Sequence, residues 1–418
     1  MSAPRPRLLV VGTGARAFKE FLLDWVCRHF RVHLFPDGEP TWELDYVDGY
    51  STVNLGETRD ATELCEVAAE QAAAEPFAGV LAWDEARVLQ VAKVAAALGL
   101  PGWTPEVAMR CREKDRTRVA FAAAGIPQPR SVVASDVDEA LLAAESIGYP
   151  VVLKPRAMAA SLGVVRVDSA TELRARFAFT RDVAIPGSWQ YEQVLVEEFL
   201  TGPEISVDSA VHASVVHPMF LARKEIGFAP YFEEVGHAVD GADPLLTDPV
   251  VGRLLADVHA ALGCTDGMTH TELKLTDEGP KVIEVNGRLG GDLIPYLGWH
   301  ATGIDSGLVA GEIACGLPPT VTPRWHQVSA VRFHYVEQND TRIEEIRVDR
   351  DRLAPAVDRF EVVARPGALV SPPPKGTLFG RLAYVTAVAE SAAACRQALD
   401  SASDALMVRT AAPAATPR

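Results

Sequence analysis

Short apolar runs alternate with amphipathic segments over the first hundred residues. The runs RLLVVGT, RVHLF and FAGVLAW have the length of buried strands, and the segments between them repeat apolar residues at helical spacing. The predicted order is strand 7–13, helix 17–29, strand 31–35, strand 77–83 and helix 84–98. Strands that alternate with helices form parallel sheets with helices on both faces, so residues 1–104 are predicted to form an α/β domain.

The pattern after residue 104 predicts further units of α/β and α+β type, so the chain is expected to be multidomain. The predicted units are a linker helix at 105–126, a small unit at 127–200, a larger unit at 201–320 and a last unit at 321–418 that ends in a disordered tail. Their main elements are predicted to be a strand from Ser131, helix 138–147, a long-looped hairpin at 149–167, helix 170–178, strand 193–200, hairpin strands 204–212 and 214–220, helix 246–262, and strands 328–336 and 381–390.

The glycines at positions 12 and 14 allow two interpretations. The sequence Gly12-Thr13-Gly14 follows a predicted strand and resembles a phosphate-binding turn, but it lacks the third glycine of the dinucleotide-binding pattern. A tight strand-to-helix turn explains the two glycines better, and we adopt that interpretation.

Composition excludes several classes of protein. The 418 residues carry 40 basic and 56 acidic side chains, a formal charge of −16, which argues against nucleic acid or an acidic membrane as the main partner. The six cysteines are scattered without a C-x-x-C pair, so they predict buried thiols in a reducing compartment. The first apolar run is too short for a signal peptide, and no stretch approaches 18 apolar residues. We therefore expect a cytoplasmic protein.

The segment 269–292 carries the strongest chemical signal. It alternates twice around a turn, which predicts a β-hairpin. A turn centred on Glu278 places Glu272 opposite Glu284 and His270 opposite Asn286. Thr271, Leu273, Leu275, Ile283 and Val285 then occupy the other face and are predicted to be core. Two carboxylates about 5 Å apart at Cβ destabilise a hairpin unless a cation neutralises them, and a divalent cation with oxygen ligands suits this face.

A solvated hairpin face is the alternative, with Lys274 forming a salt bridge to either glutamate. The residues that follow favour a reacting centre instead. Arg288 supplies a planar guanidinium for an oxyanion, and the pair Gly290-Gly291 leaves backbone amides free. A cation, a guanidinium and free amides together are expected to face an anionic reacting group.

Two earlier segments have the residue types of a nucleotide site. Lys154 ends an apolar strand just before a loop that contains Ser161 and Gly163, whose hydroxyl and amides could contact phosphates. The strand in LVEEFLTGPE offers backbone groups for an adenine edge, and Glu204 offers a carboxylate for ribose hydroxyls. Each signal is weak alone, and their order along the chain strengthens them.

That order resembles the ATP-grasp superfamily of carboxylate–amine ligases. The motifs that carry the resemblance are CREKDR, VVLKP, the S-x-G-V loop, VEEFLTGPE and E-x(11)-E-x-N-x-R, and the resemblance covers about residues 8 to 320. The segments PYFEEVGH, THTELKL and EVNGRLGGDLIP are most similar to the L-amino-acid ligases that form dipeptides. The resemblance implies an ATP-grasp fold with a Rossmann-like domain at 1–104, a lid at 127–200, a catalytic subdomain at 201–320 and an α+β C-terminal domain at 321–418.

The resemblance also implies site residues and cofactors. The cofactors would be ATP and Mg²⁺ or Mn²⁺. The nucleotide would be bound by Lys114, Lys154, Ser161, Gly163, Glu197, Glu198, Phe199, Leu200 and Glu204. The metal would be bound by Glu272, Glu284 and Asn286. Arg288 and Lys154 would be catalytic. The substrate would be bound by Glu234, His237, His270, Arg288, Gly290 and Gly291. One departure is that the phosphate loop RAMAASLGV has alanines and a single glycine, so it is expected to be stiffer than the family's glycine-rich loop.

The function that the resemblance implies is ATP-dependent amide-bond formation between an amino acid and an amine through an acyl phosphate. Two alternatives stay open: an enzyme that activates another small acid or carbonate, and a nucleotide-binding scaffold without catalysis. The expected partners are small molecules, with neither nucleic acid nor membrane, and a homodimer stays open.

Overall fold

The apolar runs near the N-terminus form the parallel sheet that their pattern predicts. The structure is a computed structural model that describes residues 5–56, 60–183 and 192–411. The first sheet has the strand order β3-β2-β1-β4, and all of its pairings are parallel. Its elements are β1 (Arg7–Val11), α1 (Arg16–His29), β2 (Arg31–Phe35), β3 (Gly49–Tyr50), α2 (Thr62–Ala74), β4 (Gly79–Leu81) and α3 (Val88–Leu98).

The predicted start of the helix at 84–98 is wrong, because α3 begins at Val88. Residues Glu85–Arg87 form one turn of 3₁₀ helix, and the Asp84 side chain caps this turn by accepting a hydrogen bond from the Ala86 amide. Asp and Ser-type side chains compete with helical hydrogen bonds in this way. The tighter turn leaves Glu85 at the edge of the domain, where it faces the cavity described below.

The glycine turn after β1 is a strand-to-helix turn. Gly12 and Gly14 adopt φ of +70° and +73°, which glycine tolerates best. The amides of Thr13 and Gly14 both donate to Asp37 Oδ2, at 2.9 and 3.0 Å. An internal carboxylate therefore occupies the amides that a phosphate would use.

The predicted linker helix is two helices, α4 (Pro105–Arg112) and α5 (Lys114–Ala124). Glu113 separates them in an extended conformation, with φ −95° and ψ 105°. Its buried carboxylate binds Arg116, three residues along the chain, at 2.7 Å and Arg156 of the small unit at 2.9 Å, and these ion pairs accompany the break in the predicted helix. The break places Lys114 at the start of α5.

The small unit is an antiparallel sheet with two helices, in the strand order β5-β8-β6-β7. It contains β5 (Ser131–Ala134), α6 (Val137–Ile147), β6 (Val151–Pro155), β7 (Val165–Val167), α7 (Ala170–Arg181) and β8 (Val194–Glu198). The long-looped hairpin predicted at 149–167 is confirmed as β6 paired with β7.

The rest of the chain is built on an antiparallel sheet of eight strands, in the order β13-β12-β9-β10-β11-β14-β18-β16. A smaller sheet, β17-β15-β19, lies at the C-terminal end. The predicted strands at 204–212, 328–336 and 381–390 match β9, β14 and β18. The elements are β9 (Glu204–His212), β10 (Val215–Gly227), β11 (Glu233–Asp240), α8 (Pro249–Leu262), β12 (Gly267–Thr276), β13 (Gly279–Asn286), α9 (Ile294–Thr302), α10 (Ser306–Ala314), β14 (Val328–Tyr335), β15 (Thr341–Val348), β16 (Val357–Val362), β17 (Leu369–Val370), β18 (Arg381–Ala389), α11 (Ala392–Ala405) and β19 (Leu406–Thr410).

The large sheet crosses the boundary predicted at 320/321, because β14, β18 and β16 continue it. One apolar core joins α1 of the first domain to this sheet and to the C-terminal strands, with Trp25, Phe220, Leu297, Phe333 and Tyr384 among its members. The predicted tail from 412 onward lies outside the described residues. Among the helices of the described ranges, none is long and apolar enough to cross a membrane.

The hairpin of β12 and β13 has the predicted pairs and one unpredicted irregularity. His270 lies opposite Asn286 and Glu272 lies opposite Glu284. A β-bulge after Glu272 then shifts the register, so that Leu273 pairs with Val282 and the turn is the two residues 277–278. The prediction of Ile283 as core is therefore wrong: Val282 is buried in the core, and Ile283 lines the cavity.

Candidate active site

A cavity of about 360 Å³ lies where the first domain, the small unit, the large sheet and the C-terminal region meet. Because the hairpin, the β6–β7 loop and the end of β8 all border it, the predicted site residues converge there. Those that line the cavity are Lys114, Lys154, Ser161, Glu197, Glu198, Phe199, Leu200, Glu204, Glu234, His270, Glu272, Glu284, Asn286, Arg288 and Gly291.

Three predicted residues lie behind the wall of the cavity. Gly163, at φ +74°, packs so closely that an added Cβ would lie 2.7 Å from Val183 Cγ1. His237 is buried, with Nε2 3.1 Å from Glu234 Oε2. Gly290 donates its amide to Asp208 Oδ2 at 2.9 Å, so the expectation that this amide is free for an oxyanion is wrong.

One end of the cavity combines an apolar slot with cations. Val152, Met158, Leu200 and Ile283 contribute apolar surface, and Phe199 follows the end of β8 with the Arg166 guanidinium 4.4 Å above its ring. These side chains therefore make this part of the cavity wall apolar.

Glu197 forms buried ion pairs that the sequence did not predict. Its carboxylate is 1% exposed and accepts from Arg118 Nε and Nη2, at 2.7 and 3.1 Å, while Lys154 Nζ lies 3.0 Å away. Burial disfavours the charged form, but Arg118 and Lys154 outweigh it and hold the pKa of Glu197 well below its usual range. The side chain therefore holds Lys154 in position at the cavity wall.

The loop between β6 and β7 borders the same end of the cavity. Ala160 and Ser161 adopt φ of +55° and +53°, a left-handed conformation that glycine adopts more easily than either residue. The loop thus follows a turn typical of glycine without containing glycine at these positions. Its Met158 carbonyl accepts from Lys114 Nζ at 2.6 Å, which links the loop to α5.

Each of the paired glutamates contacts a lysine, and neither contact was predicted. Glu272 Oε1 lies 2.6 Å from Lys224 Nζ, and Glu284 Oε1 lies 3.0 Å from Lys114 Nζ. Lys274, expected as the alternative partner, binds Glu204 instead, at 3.2 Å. The cross-strand repulsion is thus relieved by lysines from β10 and α5, which lie far away in the sequence.

Glu204, Glu234 and Glu272 form an acidic wall of the cavity, and Lys224 lies at its centre. Its buried ammonium lies 2.6 Å from Glu272 and 2.7 Å from Glu234. Burial opposes its charge, but these carboxylates and Glu204 raise the pKa of Lys224 well above its usual value. The same contacts hold the pKa of Glu272 well below its usual range against burial. Glu272 and Glu234 are therefore kept ionised.

A third carboxylate, Glu85, joins Glu284 and Asn286. One end of the Asn286 amide lies 3.1 Å from Glu85 Oε2 and 3.2 Å from Glu284 Oε1. With nitrogen at that end, the amide donates to both carboxylates. With oxygen there, three oxygens converge, which is the ligand type that Mg²⁺ and Mn²⁺ prefer. These side chains therefore fit a divalent cation.

Arg288 borders this cluster. Its Nε donates to Glu85 Oε2 at 2.8 Å, and its Nη1 donates to the Leu289 carbonyl at 2.7 Å. The guanidinium is held on two sides and lines the cavity beside the oxygen cluster.

His270 and Asp208 form a buried pair beside Glu272. The Nδ1 of His270 lies 2.6 Å from Asp208 Oδ1, and its Nε2 lies 3.3 Å from Glu272 Oε1. Burial disfavours the imidazolium, but Asp208 outweighs it and raises the pKa of His270 to about 9. Asp208 also accepts from the Gly290 amide, so this pair fixes the start of the glycine segment.

The other end of the cavity contains groups that no sequence motif indicated. Arg381, at the start of β18, binds Asp292 through two nitrogens, at 2.6 and 2.7 Å. Lys19 of α1 lies there as well, together with the apolar side chains Phe18, Trp83 and Leu378. Because these residues come from the first domain and the C-terminal region, only domain packing brings them to the site.

Two family models match the chain: the ATP-grasp domain over residues 147–296 and the L-amino acid ligase C-terminal domain 2 over residues 338–411. The chain is therefore an ATP-grasp protein. More particularly, it combines the ATP-grasp domain with the C-terminal domain of L-amino acid ligases, which confirms the resemblance drawn from its motifs.

Two relatives and one solved structure are similar to this chain over about three quarters or more of its length. The uncharacterized protein y4rH of Sinorhizobium fredii (strain NBRC 101917 / NGR234) is 32% identical over 75% of this chain and 64% of its own length. Carnosine synthase 1 of Homo sapiens is 27% identical over 76% of this chain and 40% of its own length. The chain thus spans less than two thirds of either relative. The crystal structure of L-amino acid ligase from Bacillus licheniformis has a TM-score of 0.81 at 22% identity, covers 98% of this chain and 100% of that one, and shows the fold.

Proposed function

We propose that the protein is an ATP-dependent ligase that joins an amino acid to an amine and releases ADP and phosphate. The observation that carries this proposal is the convergence, in one cavity, of the oxygen cluster, the cations Lys114 and Lys154, and Arg288. The matched domains support it, because one is an ATP-grasp domain and the other is the C-terminal domain of L-amino acid ligases.

The chemistry requires activation of the carboxylate. A carboxylate has oxide as its leaving group, so it acylates amines only after phosphorylation, and transfer of the γ-phosphoryl group of ATP forms an acyl phosphate. In the proposed arrangement the base occupies the apolar slot, and Lys114 and Lys154 contact the phosphates. Lys154 is held for this role by Glu197, at 3.0 Å. Fixed cations of this kind stabilise the charge that spreads over the phosphoryl oxygens.

A divalent cation at this site would be held by Glu272, Glu284 and Asn286 on one face of the hairpin, with Glu85 beside Asn286. Bound there, it would supply charge stabilisation and orientation for the phosphates. The chain's own residues prepare this site: Lys224 holds the pKa of Glu272 well below its usual range, and Lys114 Nζ lies 3.0 Å from Glu284. An ionised carboxylate is the form that binds a hard cation.

Amide formation follows when the amine attacks the carbonyl carbon of the acyl phosphate, the phosphate leaves, and the amine loses a proton. Arg288 is placed to stabilise the oxyanion, since Glu85 and the Leu289 carbonyl orient its guanidinium. The Gly290 amide is bound to Asp208. The oxyanion contact is therefore assigned to Arg288 rather than to that amide.

The amino group of the activated substrate is assigned to the acidic wall near Glu234 and His237. Glu234 is ionised because Lys224 and His237 lower its pKa to about 2 against the effect of burial. A substrate ammonium near it would gain a carboxylate partner, in addition to the contacts of Glu234 with Lys224 at 2.7 Å and His237 at 3.1 Å. This arrangement favours an amino acid over carbonate as the activated acid.

The direct test measures phosphate release with each amino acid alone and in pairs, with mass analysis of the products. A product whose mass is the sum of two substrates minus water supports the proposal. Hydroxylamine in place of the amine would convert the acyl phosphate to a hydroxamate. ADP formation that no added acid stimulates would instead support a scaffold or another reaction.

A further inference from the structure

Trp103 joins the start of the linker helix α4 to the segment that carries Arg288. It directly precedes the helix, because the Thr104 side chain caps the N-terminus and Pro105 takes the first helical position. The Trp103 side chain is buried, and its Nε1 donates to the Gly287 carbonyl at 3.1 Å. That carbonyl belongs to the peptide unit between Gly287 and Arg288. The hydrogen bond therefore restrains the backbone from which the Arg288 side chain starts.

Two glycines make room for the indole. Gly267 lies at the start of β12, and an added Cβ there would overlap the Trp103 ring. At Gly287, which follows β13, an added Cβ would lie 3.2 Å from Trp103 Nε1 and 3.2 Å from Val88 Cγ1 of α3. The absence of side chains at these two positions lets the indole lie directly against the backbone at the open end of the hairpin.

Packing alone does not hold this segment. A second cavity of about 60 Å³ lies beside the contact and is lined by Trp103, Gly287 and Arg288. Because part of this surface is not filled by side chains, the peptide unit before Arg288 has room to rotate. A directed hydrogen bond restrains such a rotation, whereas contact with an apolar ring does not.

The other end of α4 holds the residue that faces Arg288. Arg112, in the last turn of the helix, donates from Nη1 to the Glu85 carbonyl at 2.8 Å. The Glu85 carboxylate in turn accepts from Arg288 Nε at 2.8 Å. One helix thus connects the backbone before Arg288, through Trp103, with the backbone of its carboxylate partner, through Arg112.

We infer that Trp103 is a positioning residue for the ligase reaction and acts through Arg288. This inference rests on the proposed function, in which the Arg288 guanidinium meets the oxyanion. A misplacement of about 1 Å in such a group costs on the order of a hundredfold in rate. The active-site cavity is lined by Arg288 but not, within the described ranges, by Trp103. Its effect on the rate is therefore transmitted through the Gly287 carbonyl.

The test is a double-mutant cycle. The kcat of hydroxamate formation from ATP, hydroxylamine and the best amino acid is measured for wild type, Trp103→Phe, Arg288→Lys and the double variant. Trp325→Phe is the matched control, because its Nε1 also donates to a backbone carbonyl, that of His300, at 2.8 Å. Since phenylalanine leaves a void, a second variant carries 3-benzothienylalanine at position 103, which keeps the bicyclic shape and lacks the N–H group.

We expect both changes at position 103 to lower kcat about tenfold or more, with the KM for ATP within about twofold of wild type. In the Arg288→Lys background the same changes should lower kcat less than about twofold, because lysine has no planar fork to orient. Trp325→Phe should leave kcat unchanged. The Tm of the benzothienylalanine variant should stay near that of wild type, since the ring still fills its site.

Three results would overturn the inference while the proposed function stands. A lower Tm with unchanged kcat would make Trp103 a packing residue only. Equal factors in the wild-type and Arg288→Lys backgrounds would show that Trp103 does not act through Arg288. A large rise in the KM for ATP would place its effect on the nucleotide. Failure of wild type to form a hydroxamate with any amino acid would instead reject the proposed function, and this inference with it.

Discussion

Replacing Glu197 by Gln tests whether this residue is a buried ion-pair partner or a direct nucleotide contact. The substitution keeps the size of the side chain and one acceptor oxygen but removes the charge. Arg118 and Lys154, whose side chains are 8% and 12% exposed, would then lack their anion. Removing one partner of a buried pair costs about 3–5 kcal/mol, and we expect a loss of that size in the free energy of unfolding.

The effect should depend on pH. Because the pKa of Glu197 is lowered in the folded state, its contribution is present above the pKa of the unfolded side chain and is lost as pH falls below it. The stability difference between wild type and Glu197→Gln should therefore be largest near neutral pH and should shrink below about pH 4. Urea titrations of wild type and Glu197→Gln, near neutral pH and below about pH 4, measure this difference in the free energy of unfolding.

The neighbouring Glu198 provides the matched control. It is partly exposed, and its ion pair with Arg130 is long, at 3.7 Å, so Glu198→Gln should change stability little. Equal effects of the two substitutions would refute the buried-pair reasoning. Loss of ATP affinity in Glu197→Gln with unchanged stability would show instead that Glu197 contacts the nucleotide directly.

Three further substitutions test the proposed chemistry. Glu284→Gln should lose turnover at every Mg²⁺ or Mn²⁺ concentration, and the metal-free Tm should fall because Lys114, whose side chain is 7% exposed, loses its partner at 3.0 Å; normal turnover in the folded variant would refute the metal role of Glu284. Arg288→Lys should lower kcat about tenfold or more with nearly unchanged ATP affinity, since lysine keeps the charge but loses the planar fork; a collapse of ATP affinity would place Arg288 on the phosphates. Glu234→Ala should reduce the preference for an amino acid over its des-amino analogue, which wild type should show by about tenfold or more; equal preference in the two proteins would place the ammonium site elsewhere.

The local pattern of the sequence was enough for the chemically important hairpin. Alternation of polar and apolar residues fixed which side chains share a face, so the pairs Glu272–Glu284 and His270–Asn286 were predicted correctly. The bulge that turns Ile283 toward the cavity was not predicted, because a single extra residue leaves no mark in the pattern. The same holds for Glu113, whose ion pairs accompany a break in an otherwise continuous helical pattern.

The motifs also placed most of the candidate site correctly in the cavity, because they lie on strands and turns that border it. The domain limits and the roles of these residues stay predictions. The order of Lys114, Lys154, Glu204 and the hairpin along the chain therefore carried real information about the fold. The sequence could not assign the ion-pair partner of each lysine, because several acidic residues were candidates for each one.

The sequence by itself determined the strands, the hairpin pairs and the family, because these depend on neighbours along the chain and on motifs of fixed spacing. The tertiary structure alone decided which charges meet. Lys224 reaches Glu272 because β10 and β12 flank β9, and Arg381 reaches Asp292 because β18 joins the large sheet through β14. Lys19 reaches the cavity because α1 packs on the shared core. Electrostatic contacts act through space over a few ångströms, so they depend on packing that no local pattern encodes.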